Sequence, residues 1–547
     1  MTQPPNQPPY GGFGAPPPPP QGPPPPQPGY GYPQAPQQPG PYGQFGPYGQ
    51  PQQPGPYGAQ PGYGYPPQPQ YPGSPGPSKG RAGLVIAAAV AALAVIGTAV
   101  YAVTSGGDDD KKPVAGQSGD AKPSTSGSTG ASGGSGGGSD PEGLNSGRRA
   151  GEAKVLWYKS PPDAPGAGAE APGMWITDKA AVKAAYKQVF AYDVADGKEA
   201  WGTVTFPQKI CAVTQQKSAD DKVVVAYESG TGQRAKCDRL QQLDLNTGDK
   251  GWSATLTDGA LFDSTVDITL SITGRTVLVG RSQSGVAYDI DSGRKLFDKK
   301  KYGDACFPTA FAGGSRLVSV STCDAGGAKE HDEIQVLDPT TGRAKWTQKF
   351  DKGWSVARTY SVDPLVVYST NQDKKAWNIS TFGSNGKFRS QVGFDENFAP
   401  QCGWALLERD LTGCKGVAAD ANTLYLPTEA TTGPNEIVAV DLASGKEKWR
   451  VKSPADRSML PVKVAGGRLV AYVQPSYDAG GQVVSIATTG STHQPVKLLQ
   501  NPQSTAAQEF ALFSKTFDWV DGRFYVSPTR ISGNDDAKGK LMLAYGK

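Results

Sequence analysis

Five stretches of the chain repeat one spacing: an Asp, a Gly four residues later and a large aromatic four further on. They are Asp193, Gly197 and Trp201; Asp244, Gly248 and Trp252; Asp289, Gly293 and Phe297; Asp338, Gly342 and Trp346; and Asp441, Gly445 and Trp449. The segments LDLNTGDKGW, YDIDSGRKLF, LDPTTGRAKW and VDLASGKEKW show the pattern in full. An Asp carboxylate can accept from backbone N–H groups two residues on, and Gly takes the positive φ that closes the bend, so each stretch predicts a turn between two strands. The aromatic then opens the outgoing strand as a large apolar anchor.

Gly386 and Gly490 mark two degenerate copies, and successive markers from Gly197 to Gly490 lie 44 to 59 residues apart. A period near 50 residues is that of a four-stranded sheet copied many times, the sequence form of a propeller. Ahead of most markers stands a second signal, a turn Gly followed by alternating apolar residues, as in ITGRTVLVG, AGGSRLVSVS, AGGRLVAYV and VDGRFYVSP. These predict the hairpin between the first two strands of each unit, one face buried by period-2 alternation. The last unit has its inner hairpin around Gly522 and a third strand at Leu541 to Tyr545, and then the sequence stops. Ala153 to Tyr158 stands unpaired before the first unit and ends in the aromatics Trp157 and Tyr158. Pairing the two closes a ring and removes two exposed sheet edges. The expected fold is all-β: an eight-bladed propeller of four-stranded blades over 151–547.

The repeated Asp-x-x-Thr/Ser-Gly-x-x-x-Trp motif resembles the tryptophan-docking repeat of the quinoprotein-like propeller family. That family includes pyrroloquinoline quinone (PQQ) dehydrogenases and the non-enzymatic lipoprotein scaffold of outer-membrane protein assembly, so the resemblance speaks to fold before activity. The enzymes it implies carry an adjacent Cys-Cys pair, a calcium site of Glu, Asn and Asp, and a Trp under the quinone. Here no two cysteines are adjacent, and the repeat already explains Trp201, Trp252, Phe297, Trp346 and Trp449 as packing residues between blades. No cofactor or metal ligand is assigned.

The front of the chain has a different character. Met1 to Ser78 contains no Asp, Glu, Lys or Arg and is built of Pro, Gly, Gln and Tyr. Such a segment cannot bury enough apolar area to offset its ordering entropy and is expected to be a disordered tail with polyproline II character, either a spacer or a ligand for aromatic grooves. Lys79 and Arg81 precede an uncharged run from Ala82 to Val103, long enough to cross a bilayer, and Asp108, Asp109 and Asp110 follow it. Basic residues before the span and acidic ones after it place the N-terminus in the cytoplasm and the rest outside. A cleaved signal peptide is the alternative, but its apolar region is usually shorter and does not follow so long a tail. We therefore expect a transmembrane helix within 79–104, retained as a single-pass anchor in the cell membrane. The tail and span together also look like membrane proteins of high-GC Gram-positive bacteria. A Gly/Ser-rich flexible linker is expected over 105–150, with a coil span on the order of 35–40 Å.

Setting Lys79 and Arg81 aside, 52 basic residues face 50 acidic ones beyond the span, which leaves no electrostatic footprint for nucleic acid. The run Asp298-Lys299-Lys300-Lys301 reads as solvated loop charge. Cys211, Cys237, Cys306, Cys323, Cys402 and Cys414 all fall on the external side, where oxidation is permitted. Six cysteines allow 15 pairings. Each successive pair falls inside one repeat, which favours Cys211 with Cys237, Cys306 with Cys323 and Cys402 with Cys414. With His331 and His493 the chain has two histidines, the first expected at a solvated hairpin tip and the second in a turn. No GxSxG, HExxH, Walker-type or Rossmann signature stands in a suitable context. The expected function is a membrane-anchored extracytoplasmic binding or scaffold module for a protein or cell-surface ligand. A quinoprotein-type oxidoreductase using PQQ and calcium, and an extracytoplasmic sensor, are the alternatives.

Overall fold

Alternating apolar residues on short strands fold here into eight four-stranded antiparallel sheets. The computed structural model describes residue 140 and residues 142–547, apart from 233, 304, 403–409 and 535–538. The proline-rich tail, the expected span and the linker up to 139 lie outside the described residues. No helix among the described residues is long and apolar enough to cross a membrane.

Seven blades follow one another in sequence. Blade 1 occupies Met174–Ile176, Ala180–Ala185, Gln188–Asp193 and Glu199–Thr205; blade 2, Ile210–Val213, Lys222–Tyr227, Arg239–Asp244 and Lys250–Thr255. Blade 3 runs from Thr269–Thr273 to Lys295–Lys299, blade 4 from Cys306–Ala312 to Ala344–Lys349, and blade 5 from Ser355–Val362 to Phe388–Gln391. Blade 6 runs from Ala418–Ala419 to Glu447–Lys452 and blade 7 from Met459–Ala465 to Val496–Gln500. Blade 8 is composite: Lys515–Val520, Arg523–Pro528 and Met542–Gly546 take their outer strand from Lys154–Lys159, with Val155 opposite Tyr545 and Lys159 opposite Met542. The unpaired segment ahead of the first repeat therefore closes the ring.

Burial follows position within the blade. Second strands are covered on both faces, as in Thr276–Gly280 and Thr423–Pro427, where every residue is buried, whereas outer strands such as Glu199–Thr205 are largely exposed. Neighbouring blades share apolar clusters; the one joining blades 7 and 8 combines Leu460, Tyr472, Phe524 and Tyr545 with Val155 from the closing strand.

The end of the linker departs from its composition. Residues 140–150 read as Gly/Ser tether, yet Asp140 accepts from the N–H groups of Leu144 and Asn145 at 2.8 Å, and Leu144 is buried in the blade 7–8 cluster. The Asn145 side chain pairs with Val155 in both directions, at 2.9 and 3.0 Å. Single polar contacts of this kind leave no periodic trace in a sequence, so the ordered region begins ahead of the boundary that composition suggests.

Candidate functional site

The antiparallel order of each blade sorts its connections onto two faces. Turns joining first to second and third to outer strands emerge on one face; loops joining second to third strands, and one blade to the next, emerge on the other. The turn face is built for stability. In each of the five repeats the Asp carboxylate accepts a backbone N–H two or three residues on: Ala195 to Asp193, Asn246 to Asp244, Ser292 to Asp289, Thr341 to Asp338 and Ser444 to Asp441, all at 2.8–2.9 Å. Gly197, Gly248, Gly293, Gly342 and Gly445 carry φ between 68 and 78°.

The aromatic residues dock across blades. Gly248 lies against Trp201, Gly293 against Trp252, Gly342 against Phe297 and Gly386 against Trp346, so close that a β-carbon would fall within 2.4–2.6 Å of the ring. The indoles also donate to carbonyls of the next blade: Trp201 to Leu245 at 3.0 Å, Trp252 to Ile290 at 2.7 Å and Trp346 to Ser384 at 3.0 Å. Trp157 on the closing strand repeats the arrangement against Gly197 and Val194. Two joints differ. Gly445 meets the Gln391 carbonyl instead of a ring, and Trp449 stacks on His493 with centroids 4.2 Å apart.

The loop face is braced covalently. Cys211–Cys237 ties the first strand of blade 2 to its second-to-third loop, and Cys306–Cys323 joins the loop-face ends of the first two strands of blade 4. Cys402–Cys414 closes a short hairpin, not within a blade but in the connection between blades 5 and 6. Its residues Asp410 and Leu411 sit against the innermost strands of blades 4 and 5. Its Asp410 carbonyl accepts from Arg358 of blade 5, its Leu411 carbonyl accepts from Thr359 N–H at 2.8 Å, and Asp410 bridges Phe311 of blade 4. Lys415 feels the charges of Asp410 and of Asp518 on blade 8, though burial outweighs them and lowers its pKa. Fully buried Lys183 of blade 1 donates to the Ala171 carbonyl at 2.6 Å; burial first, then the Lys415 charge, pulls its pKa down to about 7.

Among the described residues, this centre does not fit a calcium–quinone cradle. The eight innermost strands carry one carboxylate, Asp518, and it is paired with Lys463 at 2.8 Å. The repeat aromatics sit on outer strands, committed to neighbouring blades, and offer no floor for a quinone ring. A second constellation, Cys306, Cys323, His331 and Glu333, gathers metal-type atoms, but both sulfurs are spent in the disulfide and cannot act as thiolate ligands. His331 opens the third strand of blade 4 and does not occupy a solvated tip: its Nε2 lies 3.3 Å from Glu333, which also accepts from Tyr302 at 2.8 Å.

The loop face instead presents apolar side chains. Among the described residues, six of the eight exposed large hydrophobic side chains stand on it: Leu261, Phe262, Val266, Tyr477, Phe510 and Phe513. Leu261 and Phe262 are 79% and 78% exposed at the tip of the blade 2–3 connection, and Phe262 holds φ of 69°, an unusual conformation for a bulky residue. The loop beneath them is firmly held. Gly259 N–H and Asp263 N–H close the turn, Asp258 accepts from Thr265 and pairs with Lys236 at 2.6 Å, and buried Asp263 accepts from Gln283 N–H and Ser284 Oγ. Lys236 first, then Thr265, pulls the Asp258 pKa down to about 2. Cys237 N–H donates to Thr265, coupling the loop to the nearby disulfide. Sequence reading misses this site because exposed and buried leucines look alike in a one-dimensional pattern.

Comparison with known proteins agrees with this architecture. No curated protein sequence matches the chain. Among solved structures, BamB from Moraxella catarrhalis is 15% identical with a TM-score of 0.39, covering 69% of this chain and 96% of its own. Quinohemoprotein alcohol dehydrogenase from Comamonas testosteroni is 14% identical with a TM-score of 0.43, covering 73% and 77%. A europium-containing methanol dehydrogenase is 12% identical with a TM-score of 0.41, covering 72% and 93%. The family model described as outer membrane protein assembly factor BamB matches residues 148–305 and 330–509, more than half of the sequence, and the chain belongs to that family of PQQ-like propellers.

Proposed function

We propose that the chain is a membrane-anchored, extracytoplasmic propeller that binds a protein partner through its loop face and does not catalyse. The observation that carries this reading is the pair Leu261 and Phe262, held outward on a braced loop although burial would favour both. A rigid apolar projection is a preorganised anchor, since little side-chain or loop entropy remains to be lost on binding. Three disulfides on the same face support it and suit an oxidising compartment. The family description, an assembly factor, fits a scaffold role.

The competing reading is a quinoprotein oxidoreductase. The test is to add calcium and pyrroloquinoline quinone to the purified full chain and measure quinone binding and alcohol- or sugar-dependent dye reduction. Neither should occur; tight quinone binding with calcium- and substrate-dependent turnover would overturn the reading. The membrane topology has its own test. Lys79 and Arg81 before the apolar run, and Asp108 to Asp110 after it, put the propeller outside, so protease added to intact cells should degrade the C-terminal region and spare the tail.

A further inference from the structure

We propose that the propeller rests against the outer surface of the bilayer through Phe510 and Phe513, an inference that relies on the anchored topology proposed above. Both residues lie in the connection from blade 7 to blade 8, where a short helix, Ala506–Phe510, is followed by a turn. Their rings meet edge to face with centroids 6.4 Å apart, and they are 44% and 79% exposed. The connection is not loose. Buried Glu509 accepts from Tyr472 Oη at 2.5 Å, Asn501 Nδ2 at 3.0 Å and Gly481 N–H at 3.1 Å, while Leu512 packs into the core between blades 7 and 8. With Glu509 and Leu512 fixed inward, Phe510 and Phe513 are held outward. A groove of about 430 Å³ beside Phe513, bordered by Pro161, Ala167, Leu512, Pro528 and Ile531, extends the apolar surface.

The position of this patch identifies its occupant. The chain that leads from the apolar run at 82–103 meets the propeller at this connection: the Ser504 hydroxyl bonds the Leu144 carbonyl, Arg149 donates to Gln503 at 2.6 Å, and Lys540 pairs with Glu142. From Thr104 to Ser139 the sequence is dominated by Gly and Ser, and a coil of about 36 residues has a reach of about 33 Å. Two phenylalanines bind a bilayer interface weakly alone, but a tether of that length keeps the surface at high effective concentration, so weak contact suffices. Charge contributes little: Arg148, Arg149 and Lys540 are offset by Asp140, Glu142 and Glu152 at the same joint. Docking should therefore depend on apolar area and not on anionic lipid or salt. Leu261 and Phe262 lie on the same face, three blades away around the ring.

The experiment uses the full chain in phosphatidylcholine nanodiscs, with and without phosphatidylglycerol, containing a lipid with a photoactivatable diazirine in its acyl chain; labelled peptides are mapped by mass spectrometry. Label should appear in 82–103 and in 506–514, at equal levels with either lipid and at high salt. The doubly substituted chain, Phe510→Ser with Phe513→Ser, should lose the 506–514 label several-fold and keep its melting temperature and its 82–103 label. Label in 82–103 with none in 506–514 would overturn the docking while leaving the anchor intact. Persistence of the 506–514 label in the double variant would also overturn it, as would a dimer in lipid-free solution that the variant disperses. No label in either segment would remove the anchor and the docking together.

Discussion

Gly197 lies against Trp157, near enough that a β-carbon on Gly197 would fall 2.4 Å from the indole Cγ. This contact joins the closing strand, the first strand among the described residues, to the first repeat turn, and it is the docking joint at which the ring shuts. Gly197 also holds φ of 70°, so Gly197→Ala meets both backbone strain and a ring that cannot retreat. The expected loss is roughly 3 kcal/mol or more. Gly490, at φ of 87° but with nothing within 4 Å, isolates the strain; Gly490→Ala should cost about 1 kcal/mol. Thermal melts of the two variants give the comparison, and equal losses would contradict it.

Trp201 and Trp449 occupy equivalent places in the repeat but differ at the indole nitrogen. Trp201 donates to Leu245 at 3.0 Å, whereas Trp449 Nε1 is buried with no bond and its ring stacks on His493. Trp201→Phe should therefore destabilise by about 1 kcal/mol or more, because the Leu245 carbonyl loses its donor. Trp449→Phe should be neutral or stabilising in the same denaturant titration.

The Cys211–Cys237 bridge closes a separation of 26 residues and holds the loop whose Cys237 N–H bonds Thr265. Replacing both cysteines by Ala should cost about 3 kcal/mol. Hydrogen exchange should quicken over 228–238 and 256–268 together. Faster exchange confined to 228–238 would show that the disulfide does not brace the Leu261–Phe262 tip.

Lys183 is expected to set a pH dependence. Its ordinary value of 10.5 falls to about 7 in the fold, chiefly through burial. Between those values the unfolded chain holds a proton that the folded chain lacks, so stability rises with pH through this window; below pH 7 the cost of burying the charge is fully present. Lys183→Met should flatten that rise, measured as chemical unfolding at pH 7 and pH 10. An unchanged slope would assign the rise to other groups.

The parts of this molecule that are legible in its sequence are the local ones. Asp244, Gly248 and Trp252 sit within nine residues of each other, so one turn and one strand state the motif, and copying it states the ring. Blade 8 could be completed because the last unit lacks an outer strand and Ala153 to Tyr158 stands ahead of the first unit without a partner. Blade 5 is harder to read: its outer strand, Phe388–Gln391, lacks the ring that should meet Gly445, and the joint is made by a backbone carbonyl that no side-chain pattern encodes. The Cys402–Cys414 pairing is legible, but the place of its hairpin between blades 5 and 6 is not, since the residues it meets, Arg358 and Asp518, lie far away in the chain. At Leu261 and Phe262 the signal is exposure itself, which arises only when the loop is fixed in three dimensions.

The most direct measurement is cross-linking mass spectrometry on partners captured from intact cells by the full chain, run beside the double variant Leu261→Ser with Phe262→Ser. Both side chains are solvent-exposed, so the variant should melt as the parent does. The account predicts a protein partner whose cross-links fall on the loop face around 256–268 and 300–301, and whose capture drops at least tenfold in the variant, about 1.4 kcal/mol or more. A partner captured equally by both proteins, or cross-linked to the turn face around Gly197, Gly248 and Gly293, would contradict it.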